Sequence, residues 1–80
     1  MPRIAGTAEY YEAIEREMLK EDISAYDAEI GILYRCIHSM RFDEAKTHKE
    51  IQQYLEKTWG LKRGAYHRRL QWIRKQYVLP

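Results

Sequence analysis

The run from Thr47 to Leu79, THKEIQQYLEKTWGLKRGAYHRRLQWIRKQYVL, constrains the fold more than any other part of the chain, because it reads as two helices joined by a tight glycine turn. Thr47 and Glu50 are spaced as a capping box: the threonine hydroxyl accepts from the amide three residues on, and the glutamate reaches back to the Thr47 amide. A helix is therefore expected to start near His48. Ile51, Leu55 and Trp59, with Tyr54 beside them, keep one face of it apolar. Gly60 then offers the left-handed conformation that ends a helix without a Cβ penalty, and Leu61 returns to the core. From about Lys62 onward, Tyr66, Leu70, Ile73 and Tyr77 recur at steps of four, three and four, while Arg63, His67, Arg68, Gln71, Arg74 and Lys75 fall largely on other faces. This second helix should have a buried stripe and a cationic exterior.

The first half is helical by the same criteria. Met1 to Gly6 reads as a short arm, and Thr7 caps a helix over about Ala8 to Lys20. Tyr11, Ile14 and Met18 mark its apolar side, Tyr10 widens it, and Glu9, Glu12, Glu15 and Glu17 face water, with Glu12 and Arg16 four apart. After a break over Glu21 to Ser24, Ser24 and Asp27 make another cap. Tyr26, Ile30, Leu33, Ile37 and Met40 follow at steps of four, three, four and three, which predicts a helix over Ala25 to Met40. The dense apolar run inside it has no second convincing strand to pair with, so helix is preferred over strand. Arg41 to Lys46 is a charged connector. No repeat, low-complexity tract or linker divides the chain. The expectation is one all-α domain spanning residues 1–80, with about four short helices. At 80 residues it lies near the lower end of what supports a single core, and its seven tyrosines, two tryptophans and one phenylalanine help to build that core.

A formal net charge of +2 hides a segregation. Residues 1–45 carry five Lys or Arg against ten Asp or Glu, and residues 46–80 carry nine against two, which is −5 and +7. A basic half favours an anionic partner such as nucleic acid; an acidic half keeps the domain soluble or binds something cationic, and the two can also attract each other within the fold. No run after Met1, Pro2 and Arg3 resembles a secretory signal, and the longest apolar run, Ile30 to Tyr34, is too short to span a bilayer. Cys36 is the only cysteine, so no intramolecular disulfide forms. A soluble, cytoplasmic protein without membrane contact is expected.

The residues offer little to an enzyme. His38, His48 and His67 stand ten and nineteen apart, without the close spacing of a metal-ligand pair. Cys36 and His38, two apart on a helix, point to different sides, so core packing is the better reading of the thiol. The glutamates of the first helix are spread as a solvated face is, and no G-x-x-x-x-G-K phosphate loop is present. Neither catalysis, nor a metal, nor a cofactor, nor a small-molecule substrate is expected.

The run W-G-L-K-R-G-A-Y-H-R-R-L-Q-W-I-R resembles the turn and recognition helix of helix-turn-helix DNA-binding regulators, with Tyr66, Leu70 and Ile73 in that helix's apolar positions. K-Q-Y-V-L is similar to the exit from that helix in winged-helix members, which are usually preceded by a helix like Ala25 to Met40. The resemblance covers roughly residues 25–79, with the wing absent because the sequence stops at Pro80. Arg69 departs from the pattern, in a place that is often apolar. The resemblance implies that the last three helices form a helix-turn-helix-like core serving transcription regulation. Arg63, His67, Arg68 and Gln71 would face bases in the major groove of duplex DNA, and Lys46, Thr47, His48, Lys62, Arg74 and Lys75 would meet phosphates.

Lys62 and Arg63 bear on this independently, because cations at a helix start oppose its dipole and a bound phosphate would correct that. A homodimer is expected, since one short helix reads little sequence. Tyr10, Tyr11, Ile14 and Met18 are its candidate interface, unless they complete the intramolecular core. Trp59 is expected in the core under the turn. Trp72 lies off the main stripe as a protein-facing anchor, which suits a competing reading: a compact adaptor or inhibitor of a larger protein, one that handles nucleic acid included. RNA binding is a third reading.

Overall fold

In a computed structural model that describes residues 6–78, the chain forms four helices and no strand among those residues: α1 (Ala8–Glu21), α2 (Ala25–Phe42), α3 (His48–Trp59) and α4 (Arg63–Gln76). Most of the arm expected over Met1 to Gly6 lies outside the described residues. Three helix starts are made by the expected side chains. Thr7 Oγ1 accepts from the Tyr10 amide at 3.4 Å, and Ser24 Oγ from the Asp27 amide at 3.2 Å. At Thr47 both halves of the capping box form: the Glu50 amide donates to Thr47 Oγ1 at 3.2 Å, and the Thr47 amide donates to Glu50 Oε1 at 2.9 Å.

Helix ends follow backbone geometry. α1 stops at Asp22, which takes the left-handed conformation (φ 53°), and α3 stops at Gly60 (φ 69°). The Gly60 amide donates to the Glu56 carbonyl at 3.0 Å, and the Leu61 amide to that of Leu55 at 3.2 Å, so the turn consumes carbonyls that the helix end leaves open. A Cβ on Gly60 would stand 3.1 Å from Thr7 Cγ2, because the start of α1 docks here: the Thr7 amide donates to the Trp59 carbonyl at 2.9 Å. Helix α2 runs to Phe42, two residues beyond the expected Met40, and shortens the connector. Arg41 Nη1 then donates to the Lys46 carbonyl at 3.1 Å and ties the connector down.

The core joins Tyr10 and Ile14 of α1, the Ile30, Leu33, Ile37 and Met40 stripe of α2, Ile51 and Leu55 of α3, Leu61, and Tyr66, Leu70 and Ile73 of α4. Each fully buried large side chain contributes about 1.5–3 kcal/mol before entropy is charged against it. α1 packs on α2, and α2, α3 and α4 touch one another pairwise. Tyr10 and Ile14 thus serve the intramolecular core and offer no face to a second copy, while Tyr11 and Met18 are half-buried against it. Three stripe expectations need correcting. Tyr26 and Tyr54 are exposed, and Tyr77 lies past the end of α4, in extended backbone, stacked on Tyr34. Glu17, expected to face water, is largely covered and pairs with Arg35 at 2.9 Å.

Arg69 has a reason to stand where an apolar residue was expected. Its Nε donates to Glu29 Oε2 at 3.1 Å, and the buried Tyr10 hydroxyl donates to the same oxygen. One carboxylate of α2 thereby ties α1 to α4. Burial, and then the hydrogen bond to Glu29, push the Tyr10 phenol far above its ordinary range.

Candidate nucleic-acid interface

The connection between α3 and α4 is only Gly60, Leu61 and Lys62, and the side chain of Leu61 is buried. α4 starts at Lys62 without a side-chain cap and carries no acidic residue in its first turn. Its first amides therefore lack a side-chain cap, and the exposed Lys62 and Arg63 add positive charge at the same end, an arrangement that favours an anion and disfavours the bare helix. Ten side chains were expected at the interface. Thr47, Lys62, Arg63, His67, Arg68, Gln71, Arg74 and Lys75 are exposed, and Lys46 and His48 are half-buried.

A cleft of about 430 Å³ opens between the start of α3 and the first turns of α4, lined by His48, Lys49, Gln52, Gln53, Arg63, Tyr66 and His67. It brings together His48, Arg63 and His67 from the expected set and contains no carboxylate. Lys49, Gln52 and Gln53 were not anticipated, because only the crossing of α3 over α4 turns the outer side of α3 toward Arg63 and His67. Gln52 is also held along its own helix, its Nε2 donating to Glu56 Oε2 at 3.1 Å. At the cleft floor, His48 Nδ1 lies 2.9 Å from the Tyr66 hydroxyl, which fixes the position of the imidazole. Burial is the main reason the Tyr66 phenol is pushed up to about 12, against the opposing pull of Arg74 and Arg41.

Arg68 and Lys75 lie on α4 opposite its buried stripe, and Gln71 lies between them and the cleft side. None of Lys62, Arg63, Arg68, Arg74 and Lys75 takes part in the ion pairs Arg35–Glu17 and Arg69–Glu29 that form among the described residues. Lys46 is placed differently from the rest, at the close of the α2–α3 connector, where its backbone carbonyl holds Arg41. Trp72 is half-buried: the Tyr26 ring lies 5.3 Å from it, and the Arg69 guanidinium 4.6 Å over its face. Trp59, expected in the core under the turn, is half-buried at the edge of the core and packs on Tyr10 at 5.3 Å.

Among the described residues, no group of three or more His, Cys, Asp or Glu side chains is placed to hold a metal ion, and no helix is long and apolar enough to cross a membrane. Burial and the nearby Glu44 raise the Cys36 thiol above its ordinary value, so the reactive thiolate is disfavoured. Comparison with protein-family models, with curated proteins and with solved structures finds no match to this chain, so the functional reading rests on its own residues and their geometry.

Proposed function

We propose that the chain is a small, non-enzymatic DNA-binding regulator of the helix-turn-helix type that acts inside the cell, with α3 and α4 as the motif. The observation that carries this reading is the carboxylate-free cleft joining His48 and Lys49 of α3 to Arg63 and His67 of α4, beside a helix start that lacks both a cap and an acidic residue. Phosphates of one strand would lie along Lys46, the start of α3 and Lys62, with Arg74 and Lys75 reaching the backbone farther along. Arg68 and Gln71 would meet base edges in the major groove, Arg68 suiting the paired acceptors of guanine. One such helix reads few base pairs, so two copies would share a longer site.

The test is a titration of the whole chain against duplex DNA over a range of salt. Affinity should fall steeply as salt rises, because the basic half displaces counterions from phosphates, while the acidic half limits the absolute affinity. Absence of binding at about 50 mM salt, where such contacts are strong, would retire this reading in favour of a protein-binding adaptor.

A further inference from the structure

Outside the cleft, four rings form a continuous ladder where α2 meets the end of α4. Tyr77 stacks on Tyr34 with ring centroids 4.2 Å apart and planes 13° from parallel. Tyr34 leads to His38 at 5.5 Å with planes tilted by 51°, and His38 to Phe42 at 4.3 Å with planes tilted by 37°, so the rings adjoin while only the first pair is stacked. Spacing by four places the α2 rings one above another. Tyr77 joins them because the chain leaves α4 in extended backbone (φ −133°, ψ 157°).

The core does not account for the ends of this ladder. Tyr34 and His38 are half-buried, but the terminal rings stand in water, Tyr77 at 38% exposure and Phe42 at 57%. Each leaves ring surface open beyond its one neighbour. Positive charge accompanies the Tyr77 end: the exposed Arg74 and Lys75 stand in the last turn of α4, Arg74 one turn before Tyr77. The Arg41 guanidinium, beside Phe42 in sequence, is half-buried and committed to the Lys46 carbonyl at 3.1 Å, so the cations free to follow a strand are Arg74 and Lys75. Arg74 also belongs to the cationic exterior of α4, so the ladder and that exterior are continuous. Asp43, next to Phe42, is engaged by the Ser39 hydroxyl at 3.1 Å.

Rings in a row with positive charge alongside is the combination that binds unpaired bases with little sequence preference: bases stack on the rings and phosphates follow the cations. A second copy of this chain, or an apolar protein surface, would gain from the rings but not from the Arg74 and Lys75 charges. We propose that the Tyr77–Tyr34–His38–Phe42 ladder is a stacking platform for unpaired nucleobases, giving the chain a single-stranded nucleic-acid surface beside α4. This goes beyond duplex recognition and does not require α4 to enter a groove. DNA and RNA strands offer the ladder the same base faces.

The test compares, by fluorescence anisotropy at about 50 mM salt, labelled thymidine and uridine strands of about ten nucleotides, an abasic strand of equal length and a blunt duplex. Both base-bearing strands should bind more tightly than the abasic one, and a preference between them identifies the natural strand. Phe42→Ala and Tyr77→Ala should each weaken the base-bearing strands about tenfold while leaving abasic and duplex affinities unchanged. Phe42→Trp should retain binding. Phe42 lies at the last residue of α2, so its variants should keep helicity and melting temperature even if Tyr77→Ala loosens the end of α4. Equal affinity for abasic and base-bearing strands, or base-bearing affinity untouched by Phe42→Ala, overturns the proposal. So does sedimentation showing that Phe42→Ala only disperses a dimer. Arg63→Ala with His67→Ala should lower duplex affinity and spare the thymidine strand, so the two readings fail separately.

Discussion

Helices α3 and α4 are neighbours of similar length, twelve and fourteen residues, held in place by different means. α3 is closed at both ends by its own sequence: the reciprocal Thr47–Glu50 cap at the start and left-handed Gly60 at the end. α4 has no cap at its start and runs into extended backbone at Tyr77. It is gripped along its length instead, by Tyr66 to His48 of α3 and by Arg69 to Glu29 of α2. Local chemistry makes α3, whereas tertiary contacts make α4. A helix held from its middle can leave its first amides and cations uncommitted, and those are the groups that an anionic partner would use.

The comparison breaks most severely at Arg69. Its side chain and that of Glu29 are 13% and 12% exposed, so Arg69→Met leaves a mostly buried carboxylate supported by Tyr10 alone. A loss of about 3 kcal/mol in urea unfolding is expected, from the cost of removing one partner of a buried pair. Total stabilities of about 5–15 kcal/mol make that a large fraction. Adding Glu29→Met should restore much of it, because the charge left unpaired is removed as well. A loss under about 1 kcal/mol, as for an exposed pair, would show that the middle of α4 is not its anchor.

Legibility in the sequence divides along the same line. Thr7, Ser24, Thr47, Glu50 and Gly60 act on atoms within a few residues, and all five do in the fold what their spacing announces. The apolar stripes show which side of each helix faces inward, but not where the buried patch ends. That limit is set by neighbouring helices, so Tyr26 and Tyr54 fall outside it although their spacing fits. Glu29 could not be singled out among the acids of the first half, since its value comes from Tyr10 and Arg69, nineteen and forty residues away. At the candidate interface, the cations of α4 were legible as a face. Lys49, Gln52 and Gln53 were not, because they join that face only through the crossing of α3 over α4.

Arg68 tests what the uncommitted side of α4 is for. It is exposed, and its guanidinium comes close enough to Gly64 that a Cβ there would meet Nη1 at 3.6 Å, so it lies over the helix and outside the core. Arg68→Ala should leave the melting temperature unchanged. On a preferred duplex it should cost about 1–3 kcal/mol of binding and relax preference at one base pair if Arg68 reads a guanine. A uniform loss over all sequences would assign it to phosphate. Glu12→Ala, on the exposed side of α1, is the matched control.

Exchanging cap chemistry between the two helix starts should move stability in opposite directions. Thr47→Ala removes a working cap and should cost about 1 kcal/mol in thermal or urea unfolding. Lys62→Thr places a capping side chain where none acts now, on backbone already extended (φ −70°, ψ 167°), and should gain about as much. It should also weaken duplex binding and flatten its salt dependence, since one phosphate-neutralising cation is lost. A stabilised Lys62→Thr with undiminished DNA affinity would mean that the open start of α4 serves no anion.

The smallest effect is a difference in acid response between the two starts. Hydrogen bonds from the Thr47 backbone and hydroxyl hold the Glu50 carboxyl below the usual carboxylate range. A carboxyl with a depressed folded value stabilises the fold above its unfolded pKa, about 4.3, and that support is lost as pH falls through the depressed value. Glu50 is solvent-exposed, so the contribution is slight, and amide exchange along α3 will register it better than global unfolding. Protection at the first turn of α3 should decline in this acid window, relative to a neutral reference corrected for intrinsic exchange. With Glu50→Gln the decline should be much reduced, because the amide side chain still accepts from Thr47 but does not titrate. The first turn of α4 holds no acidic residue and should show no such step. An equal decline at both starts would trace acid sensitivity to the fold as a whole, and would remove Glu50 as its local cause.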